Sequence, residues 1–430
     1  MEQTAVRPRV FYGWWIVLGG MVGMTISVGF NFHGLNAFVL PLSDAYAVSI
    51  TVVAGVISVA RIETAFIGPL EGYLVDRFGP RTMMLIGVPL MGIGFILISV
   101  APNFPSFVAA FLFGVVLGSS LGFGNPISTA VANWWVRKRG RAFGILWIGT
   151  SLASMIVPLI NWLIENLGWR GAFRLMGFIV IAAGLPVASL MRHRPEKYGM
   201  LPDGDFPSDA ADGTSVTEGG SGQLVDEVNF TVLEALRTPT FWFFAVSVSM
   251  RTAITTAVAV NSFILVGSLG GTSQQASMLF LLQGIMSAPG RVFLSWAGDL
   301  INKRYIMAVS LAVMALVLIA MSQATTMTQI TILWVPYAVV WGGLSSLPQS
   351  LRADLFGRRN FATISGTMSP LQSIFSFSAP VFAAWLFERT GTYRIPFMVF
   401  SAMATISMVL ILLAKPPARP VAAPDSPSAS

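Results

Sequence analysis

Apolar stretches of about twenty residues or more recur a dozen times along this chain of 430 residues, and a run that long is what a helix needs to cross the hydrocarbon core of a bilayer. They lie at roughly 11–40, 49–75, 83–101, 106–134, 142–166, 171–191, 241–268, 275–298, 305–323, 329–352, 363–387 and 394–414, here numbered spans 1 to 12. A membrane β-barrel would instead show short segments of alternating polarity. With 54% hydrophobic and only 10% charged residues, the chain has too little polar surface for a soluble enzyme. The pattern predicts an all-α membrane protein with twelve transmembrane helices.

One segment breaks the series. Residues 198–229 are rich in Gly, Ser, Asp and Glu and cannot bury enough apolar surface to fold alone. They divide the chain into an N-terminal six-helix bundle (1–191), a linker (192–240) and a C-terminal six-helix bundle (241–430). The two bundles repeat at a nearly constant offset of 222 to 224 residues: Asp76 with Asp299, Pro126 with Pro348, Phe173 with Phe397. That is the trace of a duplicated, pseudo-symmetric six-helix unit.

Lys and Arg placement predicts orientation. If both termini face the cytoplasm, nineteen of the 26 basic residues fall in cytoplasmic loops or tails and only Arg170, Arg174, Arg389 and Arg394 fall outside. The net charge of +7 is therefore a topology signal and implies no nucleic-acid partner. The expected location is the inner or plasma membrane, multi-pass, as a monomer in the lipid bilayer. Zero Cys excludes disulfides, thiol chemistry and cysteine metal sites, two His leave little for any other metal, and no GxxxxGK[ST] loop is present to bind ATP. No cofactor and no enzymatic activity are expected.

The loop EGYLVDRFGPR (71–81) resembles the G-x-L-x-D-R-x-G-x-R motif between spans 2 and 3 of the major facilitator superfamily. The strings YGWWIV (12–17), NWWVRKRGRAFG (133–144), GWRGAF (168–173), APGRVFLSWAGD (288–299) and RPEKYGMLPDG (194–204) resemble its bacterial branch of monocarboxylate and oxalate/formate transporters. The resemblance implies two bundles that alternate access to a central site, with Asp76, Arg77, Arg81 and their second-half counterparts Asp299 and Arg304 gating the cytoplasmic side. It also implies a substrate-binding arginine in span 8, at Arg291. The chain departs from those relatives in span 11, which has no lysine, and in span 7, where Asn261 stands in place of a histidine.

Charges inside spans are costly and mark function by default. There are four: Arg61 and Glu63 in span 2, Arg251 in span 7 and Arg291 in span 8. Pro289 and Gly290 precede Arg291, and Gln283, Ser287 and Ser295 follow steps of four along its helix, giving a polar stripe that would line a cavity. Further substrate-binding candidates are Asn125 in the Gly-rich GFGNP, Tyr337 and Trp341 one turn apart in span 10, Asn261, Arg251 and His33. Glu63 and Arg61 are the proton-coupling and ion-pair candidates; two residues apart they cannot share a helix face, so Glu63 is expected to pair with Arg251 or take up a proton, since burial and a nearby guanidinium pull a carboxylate's pKa in opposite directions. Three arginines against one glutamate favour an anion. The expected function is secondary active transport of a small organic anion, a carboxylate, by alternating access with proton co-transport; anion exchange of the oxalate/formate kind is the nearest alternative and drug efflux a more distant one.

Overall fold

The structure, a computed structural model, describes residues 11–204 and 229–417; Arg7, Arg9, Arg419 and the middle of the linker lie outside the described residues, as do the side chains of Arg61 and Glu63. Among the described residues, ten helical runs are long and apolar enough to cross a membrane. The run Arg139–Leu190 is two spans in one, because Gly168 turns the backbone with φ 68° and ψ 165°, a conformation that favours glycine. Span 2, Ile50–Phe78, completes the twelve.

Local sequence sets the helix ends. Spans 8 (Ser273–Leu300) and 10 (Met327–Phe356) open on capping boxes, Thr272 with Gln275 and Thr326 with Gln329, which satisfy orphan N–H groups of the first turn. Span 7 (Pro239–Ser268) opens on a Thr238 cap with Pro239 in the first turn. Spans 1 and 4 are irregular at mid-course: Val28–His33 and Ala110–Val116 are π-helical, a rare geometry that tends to mark functional positions.

Each six-helix half has its own apolar core, one around Phe95, Phe123 and Trp134, the other around Phe244, Met314 and Leu344. Large apolar side chains such as Phe66, Phe113 and Leu316 point outward, as lipid-facing positions do. The halves meet along two seams, span 2 against span 11 (Phe361–Thr390) and span 5 against span 8. Small residues let the backbones touch there: a Cβ on Gly366 would sit 1.9 Å from the Gly68 carbonyl oxygen, and one on Gly140 2.1 Å from that of Ser295.

The first and last described residues and the described linker residues lie on one face, hereafter the linker face. Tyr12 donates to Leu190 O (2.9 Å) and Thr240 to Lys415 O (2.7 Å), joining the start and end of each half. Part of the polar segment is better ordered than its composition predicts. Residues 195–204 form two 3-10 turns, and the Asp203 carboxylate accepts N–H bonds from Val136 (3.2 Å), Arg137 (2.8 Å) and Lys138 (3.1 Å). Arg192 is held between the Tyr12 and Tyr198 rings, 4.0 and 4.4 Å from their centroids. Burial pushes the neighbouring His193 imidazole down to about 4, so it is neutral at physiological pH.

Candidate functional site

Arg291 lies at mid-depth, where spans 8 and 10 approach backbone to backbone. A Cβ on Gly290 would meet the Val339 carbonyl at 2.2 Å, and one on Gly342 the Ser287 carbonyl at 2.2 Å. This contact delivers the Arg291 side chain, which is 0% exposed, into the boundary between the halves. Its Nε donates to Ser345 Oγ at 3.0 Å, its Nη1 donates to Ser151 Oγ on span 5, and its guanidinium lies 4.9 Å from the Trp341 ring centroid. Ser151 also shares a hydrogen bond with Ser287 (3.2 Å), so one hydroxyl of the N-terminal half is bound to two groups of the other.

Among the described residues no carboxylate lies within ion-pair distance of Arg291. Two hydroxyls and an indole face replace only part of the hydration a guanidinium gives up, and an unpaired buried charge costs several kcal/mol. The arrangement lacks one negative charge. Its planar fork matches a carboxylate in shape and in donors.

The other sequence candidates divide into those near this centre and those elsewhere. Trp341 stacks on Arg291. Ser295 bonds Ser346 (2.7 Å), and Gln283 is buried with Oε1 unpartnered. Tyr337 and Arg251 interact electrostatically; among the described residues the Tyr337 hydroxyl and Arg251 Nε have no hydrogen-bond partner, while Arg251 Nη2 donates to Thr252 Oγ1 (3.0 Å). Each such orphan costs roughly 1–3 kcal/mol. Asn261 is committed elsewhere: its amide donates to Ala257 O (3.0 Å) and Pro380 O (3.3 Å) and accepts from Tyr393 (3.1 Å), tying span 7 to its neighbours. Asn125 accepts from Ser365 (3.1 Å), a link between spans 4 and 11. His33 lies in the π segment of span 1 with its ring edge-on to Phe32.

The two motif aspartates perform matching tasks. Asp76, near the end of span 2, accepts from Ala362 N (3.2 Å), Thr363 N (2.8 Å) and Thr363 Oγ1 (2.6 Å) at the start of span 11. Asp299, near the end of span 8, accepts from Gly140 N (2.7 Å) and Arg141 N (2.9 Å) at the start of span 5. Spans 5 and 11 have no side-chain cap of their own, so each takes its cap from the opposite half. Arg77, Arg81 and Arg304 do not join these bonds: Arg77 donates to Tyr73 (2.6 Å), Arg81 is exposed, and Arg304 bonds Ala414 O (3.4 Å) within its own half.

Sequence reasoning missed several cross-half ties. Arg139 bonds Asp354 (3.1 Å), which also takes Lys303 (2.6 Å); Arg358 donates to Asn133 O (2.8 Å) and pairs with Glu196 of the linker. These residues were legible only as basic loop positions, and their partners are set by the fold. These hydrogen bonds and ion pairs between the halves lie at the Arg291 and Ser287 level or nearer the linker face. The halves are therefore closed on the linker side of Arg291.

Known proteins resemble the chain along nearly its full length. It is 24% identical over 425 residues to monocarboxylate transporter 12 of Xenopus laevis, covering 95% of this chain and 90% of the relative. It is 24% identical over 327 residues to the oxalate:formate antiporter of Oxalobacter formigenes, covering 74% and 71% of the two chains. Its fold matches the crystal structure of the human organic anion transporter MFSD10 with a TM-score of 0.70 at 14% identity, over 94% of this chain and all of the other. The profile of the Major Facilitator Superfamily matches residues 21–264 and 242–430, and with two six-helix halves joined through reciprocal helix caps the chain belongs to that superfamily.

Proposed function

We propose that the protein is a secondary transporter that moves a small carboxylate across the membrane by alternating access, with Arg291 as the anchor. The observation that carries this is an arginine enclosed at mid-depth, between the halves, with no acidic partner among the described residues. A bound carboxylate supplies the missing charge and takes the place of the Ser151 and Ser345 hydroxyls. Because Arg291 reaches Ser151 of the other half, its occupancy is coupled to how the halves sit. Similarity to monocarboxylate and oxalate:formate carriers agrees with this choice of substrate.

The bias of basic residues makes the linker face cytoplasmic, in the inner or plasma membrane. The reciprocal caps of Asp76 and Asp299 then close the cytoplasmic side, and Glu63 or His33 carries the co-transported proton. Asp76→Ala or Asp299→Ala is expected to shift the balance toward a cytoplasm-open form by about 1 kcal/mol each, the usual worth of a helix cap. The two seams are separate, so the double variant should add both shifts, roughly thirtyfold in population. Labelling of Ser295→Cys reads this directly, because the chain has no other cysteine and Ser295 is 0% exposed in the span 5 to span 8 seam. Labelling no faster in the double variant than in the parent rejects the gating role.

The function itself is tested by reconstituting the protein in liposomes and offering mono- and dicarboxylates, sulfonates, and neutral and cationic amphiphiles, with and without an inward proton gradient. Uptake of a carboxylate, accelerated by external acid, is the expected result. Uptake that needs an anion on the opposite side and ignores the proton gradient identifies an exchanger. Transport of cationic or neutral amphiphiles alone overturns the carboxylate reading.

A further inference from the structure

Among the described residues, Arg251 Nε on span 7, Gln283 Oε1 on span 8, and Trp334 Nε1 and Tyr337 Oη in the first half of span 10 are buried polar atoms with no hydrogen-bond partner. Native proteins leave few such groups unsatisfied. Gln283 stands eight residues from Arg291 along span 8, away from the linker face, and Tyr337 stands the same eight residues from Ser345, the Arg291 partner on span 10. At 1.5 Å per residue that is about 12 Å. Trp334 packs on Tyr337 with ring centroids 5.5 Å apart, and Arg251 on span 7 acts electrostatically on the Tyr337 hydroxyl.

Three of the four groups are donors, namely a guanidinium, a phenol and an indole; the fourth, an amide, can turn to donate or accept. Among the described residues Arg251 makes no ion pair. A small acceptor-only anion fits this set. Arg251 also remains partly exposed where Arg291 is enclosed, and the halves are tied together from Arg291 to the linker face. An anion therefore approaches from the other side and meets Arg251 first.

We propose that Arg251, Tyr337, Trp334 and Gln283 form a second carboxylate site, about 12 Å farther from the linker face than Arg291, which the substrate occupies on its way to Arg291. This rests on the reading of Arg291 as the anchor. The site lies on three helices of the C-terminal half, so it persists while the halves rock.

The test uses the purified full chain with acetate, lactate, oxalate and succinate as probes, taking the strongest thermal stabiliser into binding titrations. Tyr337→Phe removes a hydroxyl that has no partner, so the ligand-free melting temperature should hold or rise while Kd rises at least threefold. Arg251→Gln should raise Kd at least tenfold. Arg291→Gln should stop transport yet leave weak binding, which adding Arg251→Gln removes. If Tyr337→Phe and Arg251→Gln bind and transport like the parent while Arg291→Gln loses both, the second site is refuted and the anchor stands. Binding and transport that ignore Arg291 as well refute the anchor, and this proposal with it.

Discussion

Gly366→Leu is expected to hold the protein open at the linker face and to stop transport. The first atom of any side chain at this position would lie 1.9 Å from the Gly68 carbonyl oxygen, 2.5 Å from its carbon and 3.0 Å from Pro69 Cα. All three are backbone atoms of span 2, so no rotamer change relieves the overlap, and the seam must part. Parting it pulls Ala362 and Thr363 away from Asp76, removing the cap as well as the contact. Transport should fall below a tenth of the parent rate, and Ser295→Cys on the other seam should label at least tenfold faster from the linker side if the halves move as bodies. Each half keeps its own core, so the melting temperature should change little. Gly55→Ala, whose added carbon meets nothing within 4 Å, is the control in span 2. Normal transport by Gly366→Leu, with Ser295→Cys still protected, refutes the requirement for this closure.

The fold was legible because membrane helices announce themselves: length, hydropathy and the offset between Asp76 and Asp299 are enough for twelve spans in two related halves. Arg291 was legible for the same reason, since a charge in an apolar run is costly and stands out. Its partners were not. Ser151 and Ser345 are ordinary helix serines, and only the crossing of spans 5, 8 and 10 assigns them to the guanidinium. Asp76 and Asp299 stood out by motif, but the groups they bind are backbone N–H groups of Thr363 and Gly140, which carry no side-chain signal. Asn261 shows the converse. It drew notice as a polar residue in span 7, yet its amide is used up by Pro380 and Tyr393. Polarity in a span marks a hydrogen-bonding need, and only geometry tells whether protein or ligand meets it. Residues 195–204 fall largely in the segment that composition alone predicts cannot fold, because composition averages over Asp203, whose carboxylate takes three N–H bonds.

Arg291→Gln separates the two meanings of a buried arginine. In a structural ion pair, removing the cation strands a buried carboxylate and destabilises the protein by about 3–5 kcal/mol. Here no such carboxylate is present among the described residues, and glutamine can still bond a serine, so the ligand-free protein should melt at the same temperature or higher. Carboxylate binding should suffer instead. Truncating one partner of a buried, hydrogen-bonded charge pair costs about 2–5 kcal/mol, so affinity and transport should fall by roughly thirtyfold or more. Arg291→Lys keeps the charge but not the fork that reaches Ser151, Ser345 and the Trp341 face together, and should recover only part of the activity. A large drop in melting temperature with unchanged carboxylate transport by the surviving protein would reverse the assignment, making Arg291 a structural brace between spans 5, 8 and 10.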